Sequence, residues 1–110
     1  MTTVEIKKSS NPKKKYMAIF INENKDGKKS KKTIHFGSSA NKDYTIYYKD
    51  EGKKKANERK ELYLNRHRKR EDWTNPQTAG TLSKEILWNK PTVESSIKSY
   101  IKKFNLKLIK

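Results

Sequence analysis

The run YMAIFI, residues 16–21, is short, aromatic and branched, and polar residues end it abruptly. That pattern predicts a strand buried on both faces. Downstream, Thr33–Phe36 has the same character and is its expected partner. Between them NENKDGKKSKK, residues 22–32, holds the turn signal Asp26-Gly27 and is too long and basic for a two-residue hairpin. It reads as an exposed, mobile, lysine-rich loop. Upstream, residues 1–14 mix Lys, Ser, Asn and Pro with only Val4 and Ile6 as apolar anchors, which predicts a basic flexible arm preceding one domain over 15–110.

After Gly37 and the polar SSANK, residues 43–48 (DYTIYY) place Tyr44, Ile46 and Tyr48 on one face and Thr45 and Tyr47 on the other, the spacing of a third strand. Asp50 or Glu51 then faces the positive end of a helix expected over 53–70. Asn75-Pro76 and Gly80 interrupt the chain as an ordered loop. Thr81 or Ser83 caps a short helix with Leu82, Ile86 and Leu87, closed by Trp88 before Asn89-Lys90-Pro91. The last element is amphipathic: Val93, Ile97, Tyr100, Ile101, Phe104 and Leu108 follow helical spacing, Pro91 fits its first turn, Glu94 lies near its positive end and late lysines near its negative end. The fold class is therefore α+β: a small three-stranded antiparallel sheet followed by a basic helix, a short helix and a C-terminal amphipathic helix.

Composition sets the function class. In 110 residues, 28 Lys+Arg face 12 Asp+Glu, a formal net charge of +16, and mean hydropathy is -1.21. Such an excess repels itself in the folded state, so a polyanion that relieves it is the expected partner. Three Phe, six Tyr and two Trp suffice for one modest core and argue against full disorder. The absence of cysteine removes disulfides and thiolate metal sites and suits a reducing compartment. No apolar stretch approaches the roughly 20 residues of a membrane span, and the N-terminus lacks a signal peptide's apolar centre, so a soluble, unsecreted protein without a membrane partner is expected.

The charge concentrates in KKKANERKELYLNRHRKR, residues 53–70, where nine lysines and arginines meet two glutamates. Helical spacing sets Arg59, Tyr63, Arg66, His67 and Arg70 along one stripe, the main binding candidate. The structural alternative packs Ala56, Tyr63 and His67 on the sheet and leaves the arginines solvated, with Leu62 or Leu64 anchoring the helix. Phosphate contacts are assigned to Arg59, Arg66, Arg68, Lys69 and Arg70, helped by Lys53, Lys54 and Lys55 and by the 24–32 loop, with Tyr63 and His67 interleaved. Thr78 and Gly80, leading into a short helix, are a secondary phosphate-contact site. His35 at a strand end and Trp73 in a turn read as local packing residues.

Catalysis has little support, and a phosphodiester-acting site in which a metal-free His67 with Arg66 and Arg70 activates a hydroxyl near phosphate is the weaker alternative. Asp43, Asp50, Glu71 and Asp72 are scattered among turns and cap positions, which helix capping and charge balance explain, and no catalytic residue, metal site or cofactor is assigned. GxxxxGK[ST], GxSxG and HExxH are absent. The expected function is non-enzymatic, largely sequence-independent nucleic-acid binding, duplex DNA favoured and RNA compatible, with oligomeric state open. The rival is a structural module whose basic face docks an acidic protein, with Trp73 and Trp88 lining a hydrophobic contact.

The segments HFGSSANKDYTIYYKD, RKELYLNRHRKREDWTNPQTAGTLSKEILWNKPT and ESSIKSYIKKF, within roughly residues 15–104, resemble a group of short, basic, uncharacterised proteins of large nucleocytoplasmic DNA viruses. The resemblance implies a viral factory in the host cytoplasm or a virion core as the setting and viral DNA as the polyanion; charge spread beyond one patch adds coating or compaction of that DNA as the expected role. The resemblance supplies no chemistry.

Overall fold

Alternation, rather than burial on two faces, governs YMAIFI. In the structure, a computed structural model that describes residues 2–109, this run lies in strand β2 (Lys14–Glu23). Ala18 and Phe20 are fully buried on one face, whereas Met17, Ile19 and Ile21 on the other remain partly exposed. The sheet is thus covered on one side, and its period of two shows in the burial.

Residues 2–8 correct the expectation of an arm. They form strand β1 (Thr2–Lys8), antiparallel to β2, with Val4 opposite Phe20 and Ile6 opposite Ala18. Two apolar residues suffice here because β1 is an inner strand, pinned by backbone pairing on both edges. Strand β3 (Lys29–Ser38) pairs antiparallel with β2, setting Ile34 opposite Ala18 and Phe36 opposite Tyr16. The expected mobile loop between β2 and β3 shrinks to a tight turn over 24–28. There the Asn24 N–H donates to the Lys28 carbonyl (2.7 Å), the Gly27 N–H donates to the Asn24 carbonyl (3.0 Å), and Gly27 takes φ +83°. Lys29, Lys31 and Lys32 therefore stand on the β2–β3 ribbon, on the edge strand β3 of the sheet.

The third predicted strand is a helix, α1 (Tyr44–Glu51). Asp43 decides it: its Oδ1 accepts from the Ile46 N–H at 3.2 Å, capping the first turn and outweighing the alternating tyrosines. Gly52 at φ +89° breaks the chain between α1 and α2 (Lys53–His67). Asp50 and Glu51 end α1 and pair with Lys42 at 3.4 and 3.2 Å instead of capping α2. The basic helix ends at His67, three residues short of Arg70.

Thr78, not Thr81 or Ser83, caps α3 (Ala79–Leu82), which continues as a π-helical turn (Ser83–Leu87). Helix α4 (Val93–Phe104) is capped by Thr92, so Pro91 precedes it. Glu94 lies in its first turn and Lys102 and Lys103 in its last, and Asn105 closes it at φ +52°. The chain then adds β4 (Lys107–Leu108) parallel to β1, completing a mixed four-stranded sheet in the order β3-β2-β1-β4. The α+β class holds, with a fourth strand and a different set of strands from those expected.

The core forms where α3, the π turn and α4 lie on the inner sheet face: Val4, Ala18, Phe20, Phe36, Leu82, Ile86, Leu87 and Tyr100 are buried. The Tyr100 hydroxyl donates to the Pro76 carbonyl at 2.7 Å, and burial pushes this phenol far above its ordinary pKa. Glu85, buried in the π turn, accepts from Lys84 (2.6 Å) and Lys103 (3.1 Å). Burial opposes its ionisation, but the two ammonium groups prevail and hold its carboxyl below the usual range.

Two substitutions test this packing in urea unfolding. Val4→Ala should cost about 2 kcal/mol for the lost methyls and the cavity; unchanged stability would return residues 2–8 to an arm. Gly37, at φ +78°, has no room for a side chain, since an added Cβ would lie 2.5 Å from Leu87 Cδ1, whereas at Gly27 it would meet open space. Both Gly→Ala changes should cost roughly 1–3 kcal/mol of backbone strain, with Gly37→Ala the larger; equal losses would mean that Leu87 does not seat against β3.

Candidate nucleic-acid interface

The α1–α2 hairpin stands beside the sheet layer and leaves a cleft between itself, the ends of β2 and β3, and the π turn. Its volume is about 460 Å³. Helix α2 supplies Arg59, Tyr63, Arg66 and His67 from successive turns of one face, as the 3.6-residue period dictates. Lys14 and Gly37 come from the sheet, Lys42 and Tyr47 from the capped start of α1 and the turn before it, and Gly80, Ser83 and Trp88 from the opposite wall.

The wall is aromatic. Tyr63 stacks on Trp88 with centroids 4.4 Å apart and planes 6° from parallel, His67 lies 4.3 Å from Tyr63 on the same helix, and Tyr47 is tilted against Trp88 at 6.2 Å. Tyr63 is nearly buried, and burial, reinforced by the Glu71 carboxylate, keeps its phenol protonated far above its ordinary pKa. Trp88, Tyr47 and His67 remain partly exposed. The π turn brings Trp88 here: its extra residue per turn ends with the Trp88 N–H donating to the Ser83 carbonyl at 3.2 Å.

The cleft's two carboxylates are already engaged. Asp43 receives Lys15 Nζ at 2.7 Å, the Thr45 hydroxyl and the Ile46 N–H. Glu71 lies 3.2 Å from His67 Nδ1, accepts the Trp73 indole N–H at 2.9 Å, and presses on Gly80, where a Cβ would lie 2.9 Å from Glu71 Cδ. Among the described residues neither Arg59 nor Arg66 forms an ion pair. The Arg59 guanidinium instead lies 5.5 Å from the Tyr47 ring centroid, with Lys42 Nζ at 5.4 Å from the same ring.

The residues expected to bind are thus divided. Arg59, Tyr63, Arg66, His67 and Gly80 share the cleft. Lys53, Lys54 and Lys55 are exposed at the N-terminal end of α2, outside the cleft and about 6–9 Å from Arg59 along the axis at 1.5 Å per residue. Arg68, Lys69 and Arg70 are exposed in the turn after α2, so Arg70 leaves the stripe, whereas Leu62, largely exposed, joins the cleft rim. Thr78 does not offer its hydroxyl outward, because Thr78 Oγ1 accepts from the Thr81 N–H at 3.2 Å. Lys60 faces elsewhere, donating to the Asn89 carbonyl at 3.0 Å, and burial and then Lys90 and Lys84 lower its pKa.

Sequence reasoning missed Lys14, Lys42, Tyr47 and Trp88 as cleft residues. Only Asp43 as an N-cap signalled α1 and so the position of Tyr47. His35 lies 2.7 Å from the Ser9 hydroxyl, a local contact of the kind expected. Trp73 is held by Glu71 and Lys84, whose Nζ lies 5.0 Å from its ring centroid. Among the described residues no three His, Asp or Glu side chains gather to hold a metal, and no helix is long and apolar enough to cross a membrane.

No curated protein and no solved structure matches the chain. A family model, described as a family of unknown function (DUF5754), matches residues 4–67, from the first buried side chain of β1 to the end of α2. That span includes Lys14, Gly37, Tyr47, Arg59, Tyr63, Arg66 and His67 and stops before Gly80 and Trp88. Because the match covers more than half of the sequence, the chain belongs to the DUF5754 family of unknown function.

Proposed function

We propose that the chain is a non-enzymatic nucleic-acid-binding protein, largely indifferent to sequence, with duplex DNA the favoured partner and RNA compatible with the same chemistry. The observation that carries this reading is the pair Arg59 and Arg66, both at the cleft and both without a carboxylate partner among the described residues, in a chain of net charge +16. An unpaired guanidinium is shaped to take two phosphate oxygens. Further lysines and arginines lie on separate surfaces, among them the β2–β3 ribbon with Lys29, Lys31 and Lys32, and the two ends of α2. Such contacts position a protein on a phosphate backbone without reading bases.

Spread over a molecule 49 Å long, the lysines suit coating, or bridging of two strands, better than occupation of one short site. The resemblance to basic proteins of large DNA viruses supports viral DNA as the polyanion and a viral factory or virion core as the place. His67 serves in this reading as part of the aromatic wall, held by Glu71, and not as a proton carrier.

Fluorescence anisotropy with a labelled DNA duplex, titrated at several salt concentrations, tests the proposal. If six to ten phosphates are engaged, affinity should fall on the order of 10³- to 10⁵-fold between about 50 and 200 mM salt. The double reversal Arg59→Glu/Arg66→Glu should weaken binding at least tenfold and lower the slope of log affinity against log salt by about 2. Negligible binding at low salt would overturn the reading and favour an acidic protein as the partner.

A further inference from the structure

We infer that the cleft is a subsite for one unpaired nucleotide of a nucleic-acid strand, its base against the Tyr47–Trp88 wall and its flanking phosphates on Arg59 and Arg66. The inference rests on the nucleic-acid reading and adds what a phosphate-tracking surface alone does not need.

Phosphate tracking requires only cations on an open surface, yet here the two unpaired arginines flank a recessed aromatic wall. Arg59, Tyr63 and Arg66 follow one another at i, i+4 and i+7, so Tyr63 lies between the guanidinium stems and the Trp88 ring lies flat against it at 4.4 Å. Tyr63 is nearly buried and backs Trp88, whereas Tyr47, Trp88 and His67 line the cleft and are partly exposed. The side chains of Arg59 and Lys42 lie beside Tyr47, and a base would have to displace them from its ring. Bases stack on such rings whatever their identity. Ser38, Asn41 and Ser83 add polar groups to the lining within reach of a base edge.

Size decides between paired and unpaired strands. A cleft of about 460 Å³ is of the class that holds a single small molecule. A base still paired in a duplex cannot enter it, because its partner strand would have to follow. A duplex therefore keeps its bases outside the cleft and is met through its phosphates by the exposed Arg59 and Arg66 at the rim, the ribbon and the ends of α2, and the cleft itself is filled only by a nucleotide that is single-stranded or displaced from its stack. His67 and Glu71, 3.2 Å apart, line the cleft near the α2 terminus.

The test compares a thymidine oligonucleotide with an abasic oligonucleotide of the same length, so that phosphates are equal and only the bases differ. It uses the full chain carrying Trp73→Phe, which leaves Trp88 as the one tryptophan reporter. The thymidine strand should bind about tenfold or more tightly than the abasic strand, as expected for one stacked base, and should quench Trp88. Tyr47→Ala, at a partly exposed ring outside the core cluster, should remove most of that difference. Equal, salt-sensitive binding of both strands without quenching would overturn the subsite and leave the phosphate-binding proposal standing. Thymidine monophosphate binding as tightly as the strand would overturn the assignment to a strand. Failure of both strands and of duplex DNA to bind would overturn both readings.

Discussion

The stack of Tyr63 on Trp88, 4.4 Å between centroids and nearly parallel, joins the two parts of this molecule. On one side lies a sheet whose inner face is covered by α3, the π turn and α4, and on the other the α1–α2 hairpin. Other contacts that hold the hairpin include Tyr47 against Trp88 at 6.2 Å, Lys15 to Asp43 at 2.7 Å and Lys60 to the Asn89 carbonyl at 3.0 Å. The stack sets the distance between α2 and the π turn, and that distance is the cleft. An offset or parallel aromatic pair contributes about 0.5–1.5 kcal/mol beyond its buried area, enough to fix the orientation of a short helical hairpin.

Charge is arranged around the same feature. The chain has 12 carboxylate side chains against 28 Lys and Arg, and those in or near the core serve structure. Asp43 caps α1 and holds Lys15, Glu85 gathers Lys84 and Lys103, and Glu71 fixes His67 and Trp73. With these acids committed, Arg59 and Arg66 form no ion pair among the described residues, and the surface retains its positive excess. The Lys15–Asp43 pair is largely shielded from water, and the Thr45 hydroxyl and Ile46 N–H satisfy the other carboxylate oxygen, which offsets the cost of desolvating the ions.

Much of the fold was legible where periodicity was strong. The amphipathic pattern from Val93 to Phe104 gave α4, the run 16–21 gave the centre of β2, and the basic stripe gave α2 to within three residues of its end. Two elements were misread for identifiable reasons. Tyr44, Ile46 and Tyr48 imitate a strand, but a capping Asp43 prevailed over side-chain alternation. Residues 2–8 look polar because an inner strand draws its stability from backbone ladders that sequence hydrophobicity does not report. In the candidate site, Arg59, Tyr63, Arg66 and His67 were legible as one helical face, whereas Trp88 was not, because its place depends on a π turn and on a contact 25 residues away in sequence. Arg70 was assigned to the stripe only because the helix was drawn too long.

The central claim is that the cleft between α2 and the π turn is the working surface. Chemical-shift mapping of the labelled chain, titrated with a single-stranded oligonucleotide, tests it most directly. The largest changes are predicted at the Trp88 indole N–H, the Gly37 and Gly80 amides and the Arg59 and Arg66 side chains. Changes confined to the ribbon lysines or to the outer sheet face around Ile19 and Ile21, with the cleft signals unmoved, would contradict it.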